Sequence, residues 1–344
     1  MTHNHTIKLA LIGAGRIGSN HARLVSHHVI GAELVAVVDP TPNAHTLAQE
    51  LGATAHSTPE EVLSREDIDG VLIATPARTH ADLVVKAAGA GKHVFVEKPM
   101  AVTLEDADRA IEAAQAADIV LQVGFNRRFA PGFAAARDRI DAGDLGTPQL
   151  LRSLTRDPGP FLADPYKVPQ WTIFLETLIH DFDALCFLNP GAKPVEVTAH
   201  ADCLVVPEAA ESGFLDTAVV TIRFDNGAIG TAEASFSAAY GYDVRGEVFG
   251  SKGMVTAGDV RATNMTFYGA SGVAVDTSRA DTDLLADAYR AEFQAFVDSI
   301  RTNSPSQVPG HAARRALHIA LAAIRSVETG DTIRLDSITE NVEV

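Results

Sequence analysis

Through its first third the chain alternates short apolar runs with segments of helical period. Ile7–Ile12, Glu33–Val38, Gly70–Ala74, His93–Val96 and Val120–Val123 are short, rich in β-branched residues and bounded by polar or glycine positions, which predicts strands. Between them Ile17–His28, Thr79–Ala90 and Leu104–Ala116 repeat their apolar positions with helical spacing. Thr58 followed by Pro59-Glu60-Glu61 has the form of a capped helix start. Strand and helix alternating in this way predict an α/β unit, a doubly wound parallel sheet over residues 1–124. After Phe125 the pattern changes. Val219–Phe224 and Ala228–Phe236 flank Asp225-Asn226-Gly227, and Asp243–Gly250 and Met254–Ala257 flank Ser251-Lys252-Gly253. Both pairs read as hairpins. Residues 125–344 are therefore expected to form an α+β domain with a large, mainly antiparallel open sheet, with long helices at Ala288–Arg301 and Ala312–Glu328. The four prolines between Asp157 and Gln170 predict an irregular loop.

Composition narrows the function classes. The 344 residues suit two domains, and 46% hydrophobic with 21% charged residues is a globular balance. A net charge of −16 argues against nucleic acid or an anionic membrane as partner. No apolar run is long enough to span a bilayer, and the stretch from Ile7 runs into glycines, so it reads as a strand and not a signal peptide. Two cysteines, Cys186 and Cys203, make no disulfide framework, which points to the cytoplasm.

Gly13-Ala14-Gly15-Arg16-Ile17-Gly18 follows a predicted strand and opens a predicted helix, the context that a dinucleotide-binding Rossmann turn requires. Gly13 permits the tight turn, Gly15 the approach of a pyrophosphate, and Gly18 the close packing of helix on strand. Asp39 closes the second strand roughly 20 residues further on, where an acid accepts hydrogen bonds from ribose hydroxyls. From Pro40 to Ser64 there is no Lys or Arg to receive a 2′-phosphate. The expected cofactor is therefore NAD and not NADP. Thr75-Pro76 and Glu97-Lys98-Pro99 end two further strands, at the sheet edge where ligands of such folds bind.

Further along, Glu176, His180 and Asp183 stand at i, i+4 and i+7 of a predicted helix, which places them on one face. A carboxylate four residues from a histidine can fix its tautomer, as a general base requires. A solvated or core histidine with incidental neighbours and a metal site are the other readings of that pair; with no third ligand motif, no metal is expected.

Taken together, the glycine turn, Ala74-Thr75-Pro76 with His80, Gly91–Pro99, Gly124–Phe129 and Ile179-His180-Asp181-Phe182-Asp183 resemble the glucose–fructose oxidoreductase and inositol dehydrogenase family over essentially the whole chain. Arg156-Asp157-Pro158 and Tyr240-Gly241-Tyr242-Asp243 bring the resemblance nearest to its myo-inositol 2-dehydrogenases. The resemblance implies NAD-dependent oxidation of a secondary hydroxyl of a cyclic polyol or sugar, here myo-inositol to scyllo-inosose. It implies a cis Lys98–Pro99 bond, with Lys98 acting on the reacting hydroxyl, His180 as base and Glu176 orienting it. Arg16, Ile17, Thr75, Pro76, His80, Glu97 and Lys98 join the glycines and Asp39 as cofactor residues. Arg127, Asp157 and Tyr240 or Tyr242 line the polyol pocket, and the assembly is a homo-oligomer, a dimer or tetramer.

Two positions depart from the family pattern. Glu176 stands where an aspartate is usual, and Gln170-Trp171 where many relatives carry glycines. Trp171 can stack on a sugar face or fill pocket volume. Both changes are expected to alter substrate choice more than chemistry, which leaves another inositol isomer or sugar as the alternative. A dinucleotide-binding regulator or an NAD-dependent glycosidase are remoter readings.

Overall fold

A computed structural model of the chain describes residues 5–159 and 164–338. Six strands, β1 (Ile7–Ile12), β2 (Ala32–Val38), β3 (Thr54–His56), β4 (Gly70–Ile73), β5 (His93–Val96) and β6 (Leu121–Val123), form a sheet in the order β3-β2-β1-β4-β5-β6. Every pairing in it is parallel, as the alternation of elements predicted. The sequence order reverses between β1 and β4, which opens a crevice at their carboxyl ends. Thr58 and Glu61 make the expected capping box.

The first compact unit holds the residues up to Asn126 together with Asp287–Arg315. A contiguous domain over residues 1–124 therefore omits a segment. The helix Ala286–Thr302 supplies Phe293, Phe296 and Val297 to the same apolar cluster as Leu9, Leu11, Val37, Leu72 and Phe95. Without those three side chains one face of the parallel sheet would lose part of its cover, so burial of apolar surface brings the distant segment back.

The second unit holds Arg127–Ala286 and the chain from Ala316 on. Its strands are β7 (Pro148–Arg156), β8 (Pro194–Asp202), β9 (Thr217–Phe224), β10 (Ile229–Ser235), β11 (Asp243–Gly250), β12 (Met254–Ala257), β13 (Arg261–Gly269), β14 (Gly272–Thr277) and β15 (Ile333–Arg334). Seven of them form one sheet, β12-β11-β7-β10-β9-β8-β15, and β13–β14 form a separate hairpin. The sheet is antiparallel except for β7 beside β10. Both expected hairpins, β9–β10 and β11–β12, are present, and Gly227 takes φ +87° in the first turn.

One sheet face carries a π-helical turn, Ile173–Leu178, running into the helix Ile179–Phe187. Small residues let it sit close: a Cβ on Gly230 would stand 3.4 Å from Leu185. The other face exposes Leu150, Ile229, Phe249 and Met254. The proline-rich stretch holds a short 3₁₀ turn at Pro165–Lys167, and its residues 160–163 lie outside the described residues. No helix among the described residues is long and apolar enough to cross a membrane.

Candidate active site

In the first unit the glycine turn joins β1 to the helix Arg16–His28. Gly13 has φ +102°, and a Cβ there would lie 2.6 Å from the Ala74 carbonyl oxygen. A Cβ on Gly18 would stand 2.0 Å from the Gly13 carbonyl oxygen, so helix and turn meet at backbone distance. Gly15 differs from both, because a Cβ there would meet nothing within 4 Å. It faces open space at a helix N-terminus that no side chain caps. Backbone N–H groups presented in this way suit an anion. Ile17 packs on the core and Arg16 is exposed.

Asp39 locks the turn from the end of β2. Its Oδ2 accepts the Ala14 N–H at 2.8 Å, and its Oδ1 accepts the Thr41 N–H at 2.9 Å and the Thr41 hydroxyl at 2.5 Å. Partial burial works to raise its pKa. The Thr41 hydroxyl and the Ala14 and Thr41 N–H groups outweigh that and hold it below the ordinary carboxylate value. A groove of about 730 Å³ runs past Gly13, Gly15, Asp39, Thr75 and Pro76. It is also lined by Lys86, whose ammonium lies 2.9 Å from Glu60. The stretch from Pro40 to Ser64 gave no hint of this cation, because the helix His80–Gly89 brings it in from outside that window.

Three residues expected at the cofactor have other partners. His80 is buried and not part of the groove wall. Its Nδ1 lies 2.8 Å from the Pro99 carbonyl oxygen and its Nε2 2.8 Å from that of Thr75. Glu97 is buried with Oε1 2.6 Å from His21 Nε2, while its Oε2 accepts the Lys98 N–H at 3.1 Å. Thr75 shares a 2.7 Å hydroxyl contact with Thr79. The Lys98–Pro99 bond is cis, and the Lys98 side chain is half-buried.

In the second unit Glu176 lies in a π-helical turn and His180 in the α-helix that follows it, where the spacing had predicted one regular α-helix. Even so, between Trp171 and Cys186 every residue is buried except these two. Asp183 does not share their role. Its carboxylate takes a two-point ion pair from Arg128, with Nε at 2.8 Å. Arg127, expected at the polyol pocket, is buried, donating to Asp181 at 2.5 Å and to the Thr155 hydroxyl. Asp181 also accepts the hydroxyls of Ser153 at 2.6 Å and Thr155 at 2.7 Å. Arg127 is thus an ion-pair partner inside the second unit. Trp171 is buried near Phe174, with ring centres 6.2 Å apart, and fills volume.

Of the two tyrosines the structure brings one to Asp157. The Tyr242 hydroxyl donates to Asp157 Oδ2 at 2.9 Å, whereas Tyr240 is half-exposed and donates to Asp243 at 2.8 Å. Burial first, then the charges of Asp157 and Asp281, push the Tyr242 phenol well above its ordinary pKa, so it keeps its hydrogen. Asp281 carried no sequence signal that would have singled it out.

Residues 7–125 match the oxidoreductase family with an NAD-binding Rossmann fold, and residues 133–256 match the GFO/IDH/MocA C-terminal domain. Over 96% of its length the chain is 38% identical to scyllo-inositol 2-dehydrogenase (NAD(+)) of Bacillus subtilis, covering 97% of that protein. This chain belongs to that oxidoreductase family. It is also 36% identical to a myo-inositol 2-dehydrogenase of Thermotoga maritima, over 96% of this chain and 99% of that one. A crystal structure of scyllo-inositol dehydrogenase from Lactobacillus casei with bound NAD(H) and scyllo-inositol superposes with a TM-score of 0.92 at 28% identity, covering 96% of this chain and all of that one. The first unit of this family member is an NAD-binding Rossmann domain, and its open Gly15, uncapped helix terminus and ionised Asp39 fit a dinucleotide.

Proposed function

We propose that this oxidoreductase is an NAD-dependent inositol 2-dehydrogenase that oxidises the secondary 2-hydroxyl of myo-inositol to give scyllo-inosose. The observation that carries this reading is the near full-length likeness to enzymes named for myo- and scyllo-inositol. The two substrates differ only in the configuration of one carbinol carbon, and oxidation there erases the difference. Scyllo-inositol is therefore the second reading, favoured by the 38% identical relative.

His180 takes the hydroxyl proton, a task for which an imidazole is far better than water. Glu176 orients that imidazole. Lys98 stabilises the oxygen as negative charge develops on it. Asp157 and Tyr242 supply an acceptor and a held hydroxyl for the remaining polyol oxygens. NAD, held by the glycine turn and Asp39, would supply the hydride acceptor for the carbinol carbon.

In this reading residues 1–124 with the returning helix bind NAD, and the second domain binds substrate and carries the assembly. The exposed apolar side chains of the open sheet face, with Phe267 and Tyr268 on the β13–β14 hairpin, support a homo-oligomer, a dimer or tetramer. Two buried cysteines, too few for a disulfide framework, support a cytoplasmic location. The deciding experiment follows NADH at 340 nm over a panel of inositols and aldoses. Turnover of myo-inositol above that of the scyllo isomer is the expected result; a sugar as clearly the best substrate overturns the assignment. In the same assay Lys98→Ala is expected to abolish turnover with NAD affinity nearly intact.

A further inference from the structure

His21, Glu97 and His80 are buried titratable side chains of the first unit with no place in the reaction just described. His21 is fully buried, its ring 4.8 Å from that of Phe293 and 6.0 Å from that of Phe95, centre to centre. The Tyr289 ring stands 5.6 Å away, and the carboxylate of Glu97 is the hydrogen-bonding contact. His21 Nε2 lies 2.6 Å from the carboxylate, while Nδ1 meets no hydrogen-bonding atom among the described residues. Nε2 then carries the hydrogen of this contact and donates it to the carboxylate. The second carboxylate oxygen accepts the backbone N–H of Lys98. Gly124 leaves the room for this: a Cβ there would press on the carboxylate at 3.2 Å.

His80 works from the other side. Both of its ring nitrogens face backbone carbonyl oxygens, which only accept, so satisfying both takes hydrogen on both nitrogens. One of those carbonyls belongs to Pro99, the residue after Lys98, and the other to Thr75 in the loop after β4.

We propose that His21, through Glu97, and His80, through the Pro99 carbonyl, are positioning residues that clamp the backbone on both sides of Lys98. The clamp also sets charge. Burial works to raise the pKa of Glu97, but the hydrogen bond and charge of His21, then the nearby charges of Lys98 and His80, hold it below its ordinary value. The clamp thus sets a carboxylate charge beside the lysine that stabilises the oxyanion in the proposed reaction.

The consequence for turnover rests on the proposed role of Lys98, so one readout is chosen that does not depend on catalysis. Acetylation of Lys98 by acetic anhydride is followed by mass spectrometry in the full-length protein, with and without NAD. Glu97→Gln keeps the shape and an oxygen for the Lys98 N–H but removes the charge. Only the neutral amine reacts, so loss of the neighbouring negative charge is expected to raise labelling more than twofold at a fixed pH.

His21→Phe keeps a ring in the apolar wall and loses the donor, and His80→Phe donates to neither carbonyl. Both are expected to lower kcat about tenfold or more while Kd for NAD moves less than threefold, and His21→Gln, which regains an N–H, recovers most of the loss. Labelling in Glu97→Gln and kcat in both phenylalanine variants within twofold of the parent protein overturn the clamp. Faster labelling combined with ordinary turnover in Lys98→Ala supports the clamp and removes Lys98 from the chemistry, so the two failures are told apart.

Discussion

The glycine turn after β1 and the buried segment Trp171–Cys186 both leave polar groups partly exposed, by opposite means. The turn uses backbone: three glycines, uncapped N–H groups and one carboxylate that fastens them. The segment uses side chains, burying every neighbour so that Glu176 and His180 alone stay open. Backbone demands are local and leave a short motif. A side-chain arrangement depends on what the surrounding sheet supplies, and only the folded chain displays it.

The largest expected effect tests the support beneath the second arrangement. Asp181, directly after His180, is fully buried and accepts from Arg127, Ser153 and Thr155. Asp181→Ala strands the Arg127 guanidinium inside the domain and should cost about 3–5 kcal/mol in urea unfolding. A loss below about 1 kcal/mol, the scale of an exposed pair, would mean that the network does not brace the helix.

Next comes a contrast within the turn itself. Gly18→Ala drives a methyl against the Gly13 carbonyl, where backbone must move, and should cost about 1–3 kcal/mol or more in stability. Gly15→Ala has open space and should leave the unfolding midpoint nearly unchanged while weakening NAD, because the methyl stands where a pyrophosphate approaches. Equal effects of the two substitutions on stability would erase the distinction between packing glycine and ligand glycine.

A smaller effect is expected at the polyol residues. Tyr242→Phe removes a hydroxyl that donates to the Asp157 carboxylate, a bond of the charge-assisted kind worth about 1.5–3 kcal/mol. If that pair holds the substrate, KM for inositol rises roughly tenfold while Kd for NAD stays put. Tyr240→Phe serves as the control, since its hydroxyl is directed to Asp243. A KM that responds to Tyr240 and ignores Tyr242 would reverse the assignment.

Much of the first arrangement was legible before any fold was seen. Gly13, Gly15, Gly18 and Asp39 stand within one strand–helix–strand stretch, and their spacing states a backbone requirement. The parallel sheet and both hairpins were legible for the same reason, since period and turn residues are local. The return of Ala286–Thr302 to the first sheet was not: its amphipathic pattern says that it buries a face, but not against which sheet. His21 and Glu97 lie 76 positions apart, and no short motif joins them. The family resemblance alone placed Arg127 at the pocket; its buried partner Asp181 becomes visible only when β7 and the helix Ile179–Phe187 are packed. The π-helical turn escaped because spacing arguments assume 3.6 residues per turn.

Asp39 gives the smallest and most discriminating test, because its effect should be absent over most of the accessible pH range. Hydrogen bonds from Thr41 and Ala14 outweigh the opposing effect of burial and hold its folded pKa below the ordinary carboxylate value of about 4. A group depressed in this way stabilises the turn at every pH above its unfolded value, and that contribution is lost only as pH falls through the folded value. Between pH 8 and 5 the carboxylate stays ionised, so Kd for NAD should drift by less than about twofold on its account. Asp39→Asn mimics the protonated state at neutral pH and should weaken NAD while narrowing the preference over NADP, with Lys86 in the same groove as the cation available to a 2′-phosphate. A wild-type Kd that rises tenfold from pH 7 to 5, in a protein still folded, would show that the turn is fastened by some other group and that its likeness to the rest of the glycine motif is one of shape alone.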